Sequence, residues 1–471
     1  MVGIALFIFF LLANPFGVDP NARKVLAVAA LMITWWIGEA LPMPAVALLP
    51  MLLFPLMGIA SLKETTVKYA DPVIFLFMGG FMIGLAIEKW NLHKRIALSI
   101  VNLTGTSGDR IILGFILATG FLSMWLSNTA TTMMMYPIAA SVIFVVGENH
   151  KGSGNTKHFA LAIMLAIAYA SNFGGIATII GTPPNVAFVA FIRDKYNHTI
   201  PFANWAMVCA PLAIIMLFAL YFVMVKWLYP NHIKSSDVTK GVIRNELKQL
   251  GPLSTAEKRV LFIFGGTALL WITKDLINAL GWFTLDDTMI AIAGALGLFI
   301  CPSGKNNLPS SKYILEWSDT SKMAWGILLL FGGGIALAFA LEKAGLIQML
   351  GKWIAGMSGT SGFMLIFMIT LVSLFISEVM SNIAQVIVFA PVIGGMADAL
   401  HIDPILLGLP MTLGASCASM MPMGTPPNAI VFASGHIQMK EMMRTGFVMN
   451  IVAVILITLF CYFLVPLLLT I

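Results

Sequence analysis

The chain has 471 residues, of which 59% are hydrophobic and 10% charged, with a net charge of +6 at pH 7 and a mean hydropathy of +0.93. Soluble domains carry about 25% charged residues, so the composition excludes a soluble domain or a secreted β protein, and the basic excess belongs to cytoplasmic loops rather than to nucleic acid. Apolar runs near the ~20 residues that cross a bilayer as helix recur throughout, which makes this an all-α polytopic membrane protein.

In chain order, the spacing predicts helices over 1–15, 23–39 and 41–60, the third kinked by Pro50 and Pro55. The first run has no small-residue cleavage site after it and reads as a short helix, not a signal. A Gly-rich helix follows from Asp71 to Lys89, and a basic amphipathic link over 90–107 lies at the interface. Residues 109–146 are apolar except for Ser127-Asn128-Thr129 near the middle. That length fits two crossings or one re-entrant hairpin with the polar triplet at its tip. A helix over 159–191 must break at Gly181-Thr-Pro-Pro-Asn185, because two prolines cannot continue the ladder. Helix 203–228, a polar loop over 231–258, and helices 259–281 and 286–301 complete this half. Cys209, Cys301, Cys417 and Cys461 are scattered and read as apolar fillers.

The pattern then starts again. Phe77, Glu88-Lys89, Gly105-Thr-Ser-Gly108, Ser127-Asn128 and Pro137 recur as Phe331, Glu342-Lys343, Gly359-Thr-Ser-Gly362, Ser381-Asn382 and Pro391, each offset by 254. Gly-Thr-Pro-Pro-Asn recurs at Gly424–Asn428 with an offset of 243, the extra residues of the first copy falling in the polar 147–158 loop. This is an internal repeat. An odd number of crossings separates the copies, so the second is inverted, as in secondary transporters with broken helices near the midplane. With a cytoplasmic N-terminus, 18 of the 27 Lys and Arg residues fall inside, and the chain ends outside after eleven crossings.

The repeated stretches carry the chemistry. Ser123 and Ser127, and likewise Ser377 and Ser381, are four apart and share a helix face. Each pair adds two hydroxyls to an Asn carboxamide at a helix break, hard oxygen ligands suited to Na⁺, while helix N-termini after the breaks can meet an anion. The segments 114–146, 161–190, 364–399 and 406–435 hold no Lys or Arg. An anionic substrate there needs dipoles and co-bound cations to offset its desolvation. One Ser-Asn pair alone reads as helix packing; two inverted copies, each followed by Gly-Thr-Pro-Pro-Asn, read as a site. Glu39, Glu88, Glu342 and Glu378 are candidate intramembrane carboxylates. Glu88 and Glu342 fit helix ends, while Glu378 lies between two site serines as a proton or cation partner. No nucleophile–base set suggests a hydrolase, and paired broken helices favour alternating access over a channel.

Trp36-Ile-Gly-Glu39-Ala-Leu-Pro42 with Ala47-Leu-Leu-Pro50, Glu88-Lys-Trp-Asn-Leu-His-Lys-Arg95, and both copies of the Ser-Asn and Gly-Thr-Pro-Pro-Asn motifs resemble the divalent anion–sodium symporter family of INDY-type dicarboxylate and citrate transporters. The resemblance implies about eleven transmembrane helices plus two re-entrant hairpins, a homodimer and an elevator mechanism in a bacterial inner membrane. It divides the chain into scaffold helices over 1–108, a transport part over 109–230, a loop and further scaffold helices over 231–361, and a second transport part over 362–471. It implies one Na⁺ at Ser123, Ser127, Asn128 and Gly181, and a second at Ser377, Met380, Asn382 and Gly424. Substrate carboxylates would meet Ser127, Asn128, Thr129, Thr182, Pro184, Ser381, Asn382, Ile383, Thr425 and Pro427. Ile383 departs from the Thr usual in the second motif. The implied function is Na⁺-coupled symport of C4-dicarboxylates; the alternative is Na⁺-independent exchange of citrate or 2-oxoglutarate for succinate.

Overall fold

The computed structural model describes residues 2–469 apart from 39, 150–153, 232, 234–236, 282–283, 305–310, 347–348 and 350–361. Glu39 and residues 359–361 of the repeated Gly-Thr-Ser-Gly landmark therefore lie outside the described residues. Among those described, the structure is helical, with a lone bridge between Pro302 and Tyr313 in place of any strand. Among the described residues, eight helices are long and apolar enough to cross a membrane, and shorter apolar helices lie among them.

Local sequence sets the helix starts. Asp19-Pro20, Asp71-Pro72 and Asp403-Pro404 each place a carboxylate at the N-cap, accepting backbone N–H bonds, and a proline at the first helical position, where no N–H is needed. The helix expected over 41–60 is instead two short pieces, Met43–Val46 and Leu49–Met57, ended by Gly58 in the left-handed region. Pro50 marks the start of the second piece, while Pro55 is accommodated inside it. The 231–258 stretch is not only loop: Asp237–Gln249 is a helix, and its Glu246 pairs with Lys94 at 3.0 Å. The interfacial link is the helix Leu92–Thr104, roughly 20 Å long at 1.5 Å per residue. Its Arg95 is fixed by Glu257 at 2.6 Å and by the carbonyls of Leu250 and Gly251.

The repeat is a contact symmetry. Lys89 pairs with Asp319 at 2.6 Å, and Lys343 with Glu64 at 3.0 Å. Lys89 and Lys343 are 254 apart, Glu64 and Asp319 255 apart, so these are one contact related by a two-fold axis. Glu64 and Asp319 each close a capping box, with Ser61 and Glu316, which carries the repeat further upstream than the sequence landmarks did. Phe77 and Phe331 meet each other edge to face, 5.4 Å between ring centroids, which places them on the axis. Gly79 and Gly333 are glycines for the same reason: a Cβ would lie 2.8 Å from the backbone of Ala291 in one case and 2.4 Å from the carbonyl of Ala47 in the other.

Residues Phe159–Thr182 are all buried. This helix is apolar on every face because it is enclosed by protein, not lipid. It packs so closely on the Gly108–Ser123 helix that a Cβ on Gly174 would meet the Gly120 carbonyl at 2.2 Å.

Candidate functional site

Each repeat forms a helix, a short break and a second helix: Gly108–Ser123 then Asn128–Asn149, and Gly362–Ser377 then Asn382–Leu400. The polar triplets sit at the breaks, as expected for hairpin tips. Beside each tip runs a broken helix, Gly154–Gly175 resuming at Pro183, and Pro404–Ser416 resuming at Pro426. Thr182 and Thr425 are the extended N-cap residues of the resumed helices, with φ of −145° and −144°.

The breaks are held by the asparagines of Gly-Thr-Pro-Pro-Asn. Asn185 donates to the carbonyls of Thr178 and Gly175 at 2.8 and 3.3 Å, and Asn428 to those of Met421 and Ala418 at 3.1 and 3.3 Å. An unwound helix inside a membrane must satisfy these carbonyls internally, and one side-chain amide per break satisfies two of them.

Behind each tip is a cluster of oxygens. Ser123 Oγ lies 2.7 Å from both Asn128 Oδ1 and the carbonyl oxygen of Ser171. Ser377 Oγ lies 2.6 Å from Asn382 Oδ1 and 2.5 Å from the carbonyl oxygen of Ala415. A hydroxyl has one proton for two such neighbours, so lone pairs face one another in both clusters, an arrangement that a bound cation relieves. Gly181 closes the first cluster: a Cβ there would lie 2.4 Å from the Gly175 carbonyl and 3.0 Å from that of Ser123. Ser123 and Ser377 are fully buried.

In front of the tips is a cavity of about 920 Å³. Ser127, Asn128, Thr129, Thr182, Pro184, Ser381, Asn382, Ile383, Thr425 and Pro427 all line it, together with Met380 and Gly424. Ser123, Gly181 and Ser377 stand behind this wall. The structure thus brings the residues assigned to cations and substrate around one space, while Glu342 and Glu378 do not line it.

Sequence reasoning did not assign Asn172, Trp36, Met43 or Lys322 to the site. Asn172 joins the halves, accepting from Asn128 Nδ2 at 3.5 Å and donating to Thr425 Oγ1 at 3.1 Å. Its signal was present: Ser171-Asn172 is a third Ser-Asn pair inside an apolar run. Trp36 and Met43 also line the cavity, as do Lys322 and the candidate carboxylate Glu88, both exposed. The four site segments contain no Lys or Arg, but Lys322 brings a cation to the wall from outside them. Glu88 stands at the C-terminal end of Pro72–Lys89. At the other end of that helix, roughly 25 Å away by its rise, Asp71 pairs with Arg193, and nearby Lys68 pairs with Asp194 at 3.0 Å.

Glu378 is not exposed to the cavity. It is buried and accepts from the backbone N–H groups of Ser419, Met420 and Met421 and from Asn450.

Comparison with known proteins places this arrangement. The chain matches the family described as the sodium:sulfate symporter transmembrane region over residues 1–471. It is 38% identical to the sodium-dependent dicarboxylate transporter SdcS of Staphylococcus saprophyticus, over 99% of this chain and 91% of the relative. It is 37% identical to the protein of the same name from Staphylococcus aureus, over 100% of this chain and 91% of the relative. In fold it is similar to the YdaH transporter of Alcanivorax borkumensis, with a TM-score of 0.61 at 14% identity, over 94% of this chain and 99% of that one. It is also similar to MtrF of Neisseria gonorrhoeae, with a TM-score of 0.55 at 13% identity, over 98% and 95%.

Proposed function

The chain belongs to the sodium:sulfate symporter family, and on that premise we propose that it carries out Na⁺-coupled symport of C4-dicarboxylates such as succinate, malate and fumarate. It is an integral membrane transporter and not an enzyme. The observation that carries the reading is the pairing of two oxygen clusters, at Ser123–Asn128 and Ser377–Asn382, behind one cavity lined by both tips.

The first cation is held by Ser123, Ser127, Asn128 and the Gly181 backbone, the second by Ser377, Asn382 and the Met380 and Gly424 backbones. Between them the substrate carboxylates meet the Ser-Asn tips, Thr129, Thr182 and Thr425. The N-termini of Asn128–Asn149 and Asn382–Leu400 lie at the tips that line this space, where first-turn N–H groups can meet an anion, whereas the resumed helices begin with prolines, which have no N–H to offer. Two bound cations offset the two substrate charges, so neither enters the membrane interior alone at the full desolvation cost. That mutual dependence is the coupling.

The hairpins and broken helices move together against the remaining helices as an elevator in each protomer of a homodimer. We infer that in this state the site opens at the Glu88 and Lys322 end, where both exposed side chains line the cavity, and is shut at the Asp71 end, where Asp71 and Lys68 hold Arg193 and Asp194. With a cytoplasmic N-terminus in the bacterial plasma membrane, that state faces inward. Uptake of radiolabelled succinate by proteoliposomes, with and without an inward Na⁺ gradient, tests the function. Strong stimulation by Na⁺ is expected, and equal uptake with choline in place of Na⁺ overturns it.

A further inference from the structure

We propose that Glu378 is a positioning residue that makes the second cation site stronger than the first, by placing a fixed negative charge behind it and holding the backbone that supplies its ligands. The inference rests on the Na⁺-coupled reading above. Glu378 follows Ser377 directly and precedes Met380 by two residues. A Cβ built on Gly424 would lie 3.1 Å from its Oε2. Glu378 therefore lies on the same short stretch as two of the groups assigned to the second cation, and its carboxylate stands beside a third, Gly424.

Its contacts define its state. Oε1 accepts from the Ser419 and Met420 N–H groups at 2.9 Å and from Asn450 Nδ2 at 2.6 Å, while Oε2 accepts from Met420 and Met421 at 3.1 and 2.9 Å. Every one of these bonds is donated to it, which matches a carboxylate and leaves a carboxyl proton with no acceptor among them. Yet it is 4% exposed and, among the described residues, has no Lys or Arg partner. A buried charge neutralised only by dipoles attracts a mobile cation strongly. The three consecutive N–H groups belong to the break before Pro426, so the same carboxylate fixes the curvature that presents Gly424.

The first half lacks the device. The residue 254 before Glu378 is Met124. There the break is tied by a neutral bond from Thr178 Oγ1 to the Met124 carbonyl. The two sites thus share Ser and Asn ligands but differ by one unit of charge.

The test titrates NaCl against melting temperature at constant ionic strength, choline chloride making up the difference, for the purified full-length protein, E378Q and E378D. Wild type is expected to show two phases of stabilisation. E378Q should move the low-Na⁺ phase at least tenfold upward, and E378D should stay nearer wild type because it keeps the charge. A space-filling or backbone-bracing role alone predicts the reverse order, since Gln matches the shape of Glu and Asp does not. Superimposable titrations of wild type and E378Q, or Gln nearer to wild type than Asp, overturn the proposal. Should E378Q not fold, E378D decides: a low-Na⁺ phase near that of wild type supports it, and a tenfold rise overturns it. Succinate uptake by wild type is measured alongside. Loss of its Na⁺ dependence would bring down the symport reading itself, whereas Na⁺-dependent uptake with unshifted E378Q titrations removes only this inference.

Discussion

The two halves of the site share a skeleton and differ in what hangs on it. In both, a Ser hydroxyl meets an Asn oxygen five residues on, and a second Asn ties down the broken helix. Around that skeleton the first half places Met124, Thr129 and Asn172, and the second places Glu378 and Ile383. The first break runs from Ile176 to Thr182, the second over the longer Cys417–Thr425 stretch. The duplicated parts are the Ser-Asn oxygen clusters and the amides that hold the breaks. Of the unduplicated ones, Thr129, Asn172 and Ile383 line the cavity, and Glu378 lies buried behind it. A dicarboxylate and two identical ions make different demands on a two-fold site: the ions favour symmetry, and the binding order and substrate pose need not.

The largest expected effect tests the shared skeleton. Asn128→Ala and Asn382→Ala, made separately, should each lower Na⁺-driven succinate uptake by at least about a hundredfold, while the purified proteins still melt cooperatively. Each loses a cation ligand and a substrate donor together, at roughly 1.5–3 kcal/mol per charge-assisted bond. Substantial uptake by one of the two would show that the halves are unequal even in the parts they share.

Asn172 comes next, as a part that only one half possesses. It accepts from Asn128 and donates to Thr425 across the two-fold. Asn172→Ala leaves both partners short of a bond in a buried place, at about 2 kcal/mol together, which corresponds to roughly thirtyfold. The loss should appear as a higher succinate KM and a shallower Na⁺ dependence of uptake. A change in maximal rate alone would make Asn172 a packing residue.

These residues also mark how far the sequence could be read. The tips, the breaks and their pairing were legible because each is local and each occurs twice: Ser123 to Asn128 spans five residues, and a Pro-Pro in an apolar run can mean little else. The clean register from Phe77 to Pro137 made the two-fold visible before any contact was known. Asn172 reaches Thr425 over 253 residues, a pairing that no spacing rule predicts. Lys322 and Trp36 join the cavity from elements whose own sequences read as interface and scaffold. The Asp237–Gln249 helix reads as loop in the sequence because its polar composition lacks the apolar run of a crossing. Glu378 was noticed, but its donors are backbone groups 41 to 43 residues away and an Asn 72 residues away, so its role was not.

A smaller effect sharpens the comparison at the substrate. Thr129 and Ile383 occupy equivalent positions and both line the cavity, so the first half offers a hydroxyl where the second offers a methyl. A hydrogen bond to a charged acceptor is worth roughly 1.5–3 kcal/mol, and the low end of that range corresponds to about tenfold. Ile383→Thr should therefore lower the succinate KM by about tenfold at saturating Na⁺. Equal KM values for the two proteins would mean that the second half binds through Ser381, Asn382 and Thr425 alone.

The smallest effect concerns the two ends of the molecule, which the same two-fold relates. At the Asp71 end Lys68 pairs with Asp194 and Asp71 with Arg193. At the Glu88 end the residues 254 after Lys68 and Asp71 are Lys322 and Trp325, and those 243 after Arg193 and Asp194 are His436 and Ile437. Among the described residues Lys322 has no ion-pair partner and lines the cavity instead. The Lys68–Asp194 and Asp71–Arg193 pairs thus have no two-fold counterpart among the described residues, and we infer that they favour the state in which their end is shut. Arg193 and Asp71 are too enclosed for a clean test, because removing one strands the other. Lys68 and Asp194 are 19% and 28% exposed, where such a pair contributes about 1 kcal/mol or less. Removing both, as Lys68→Ala with Asp194→Ala, should shift the open–closed equilibrium by up to about fivefold. The reporter is a single cysteine at Ala324, on the cavity wall, in a background with the four native cysteines replaced. Its modification by an impermeant thiol reagent applied from the Glu88 side should slow two- to fivefold in the double variant. An unchanged rate would show that apolar packing, not the ion pairs, holds that end closed.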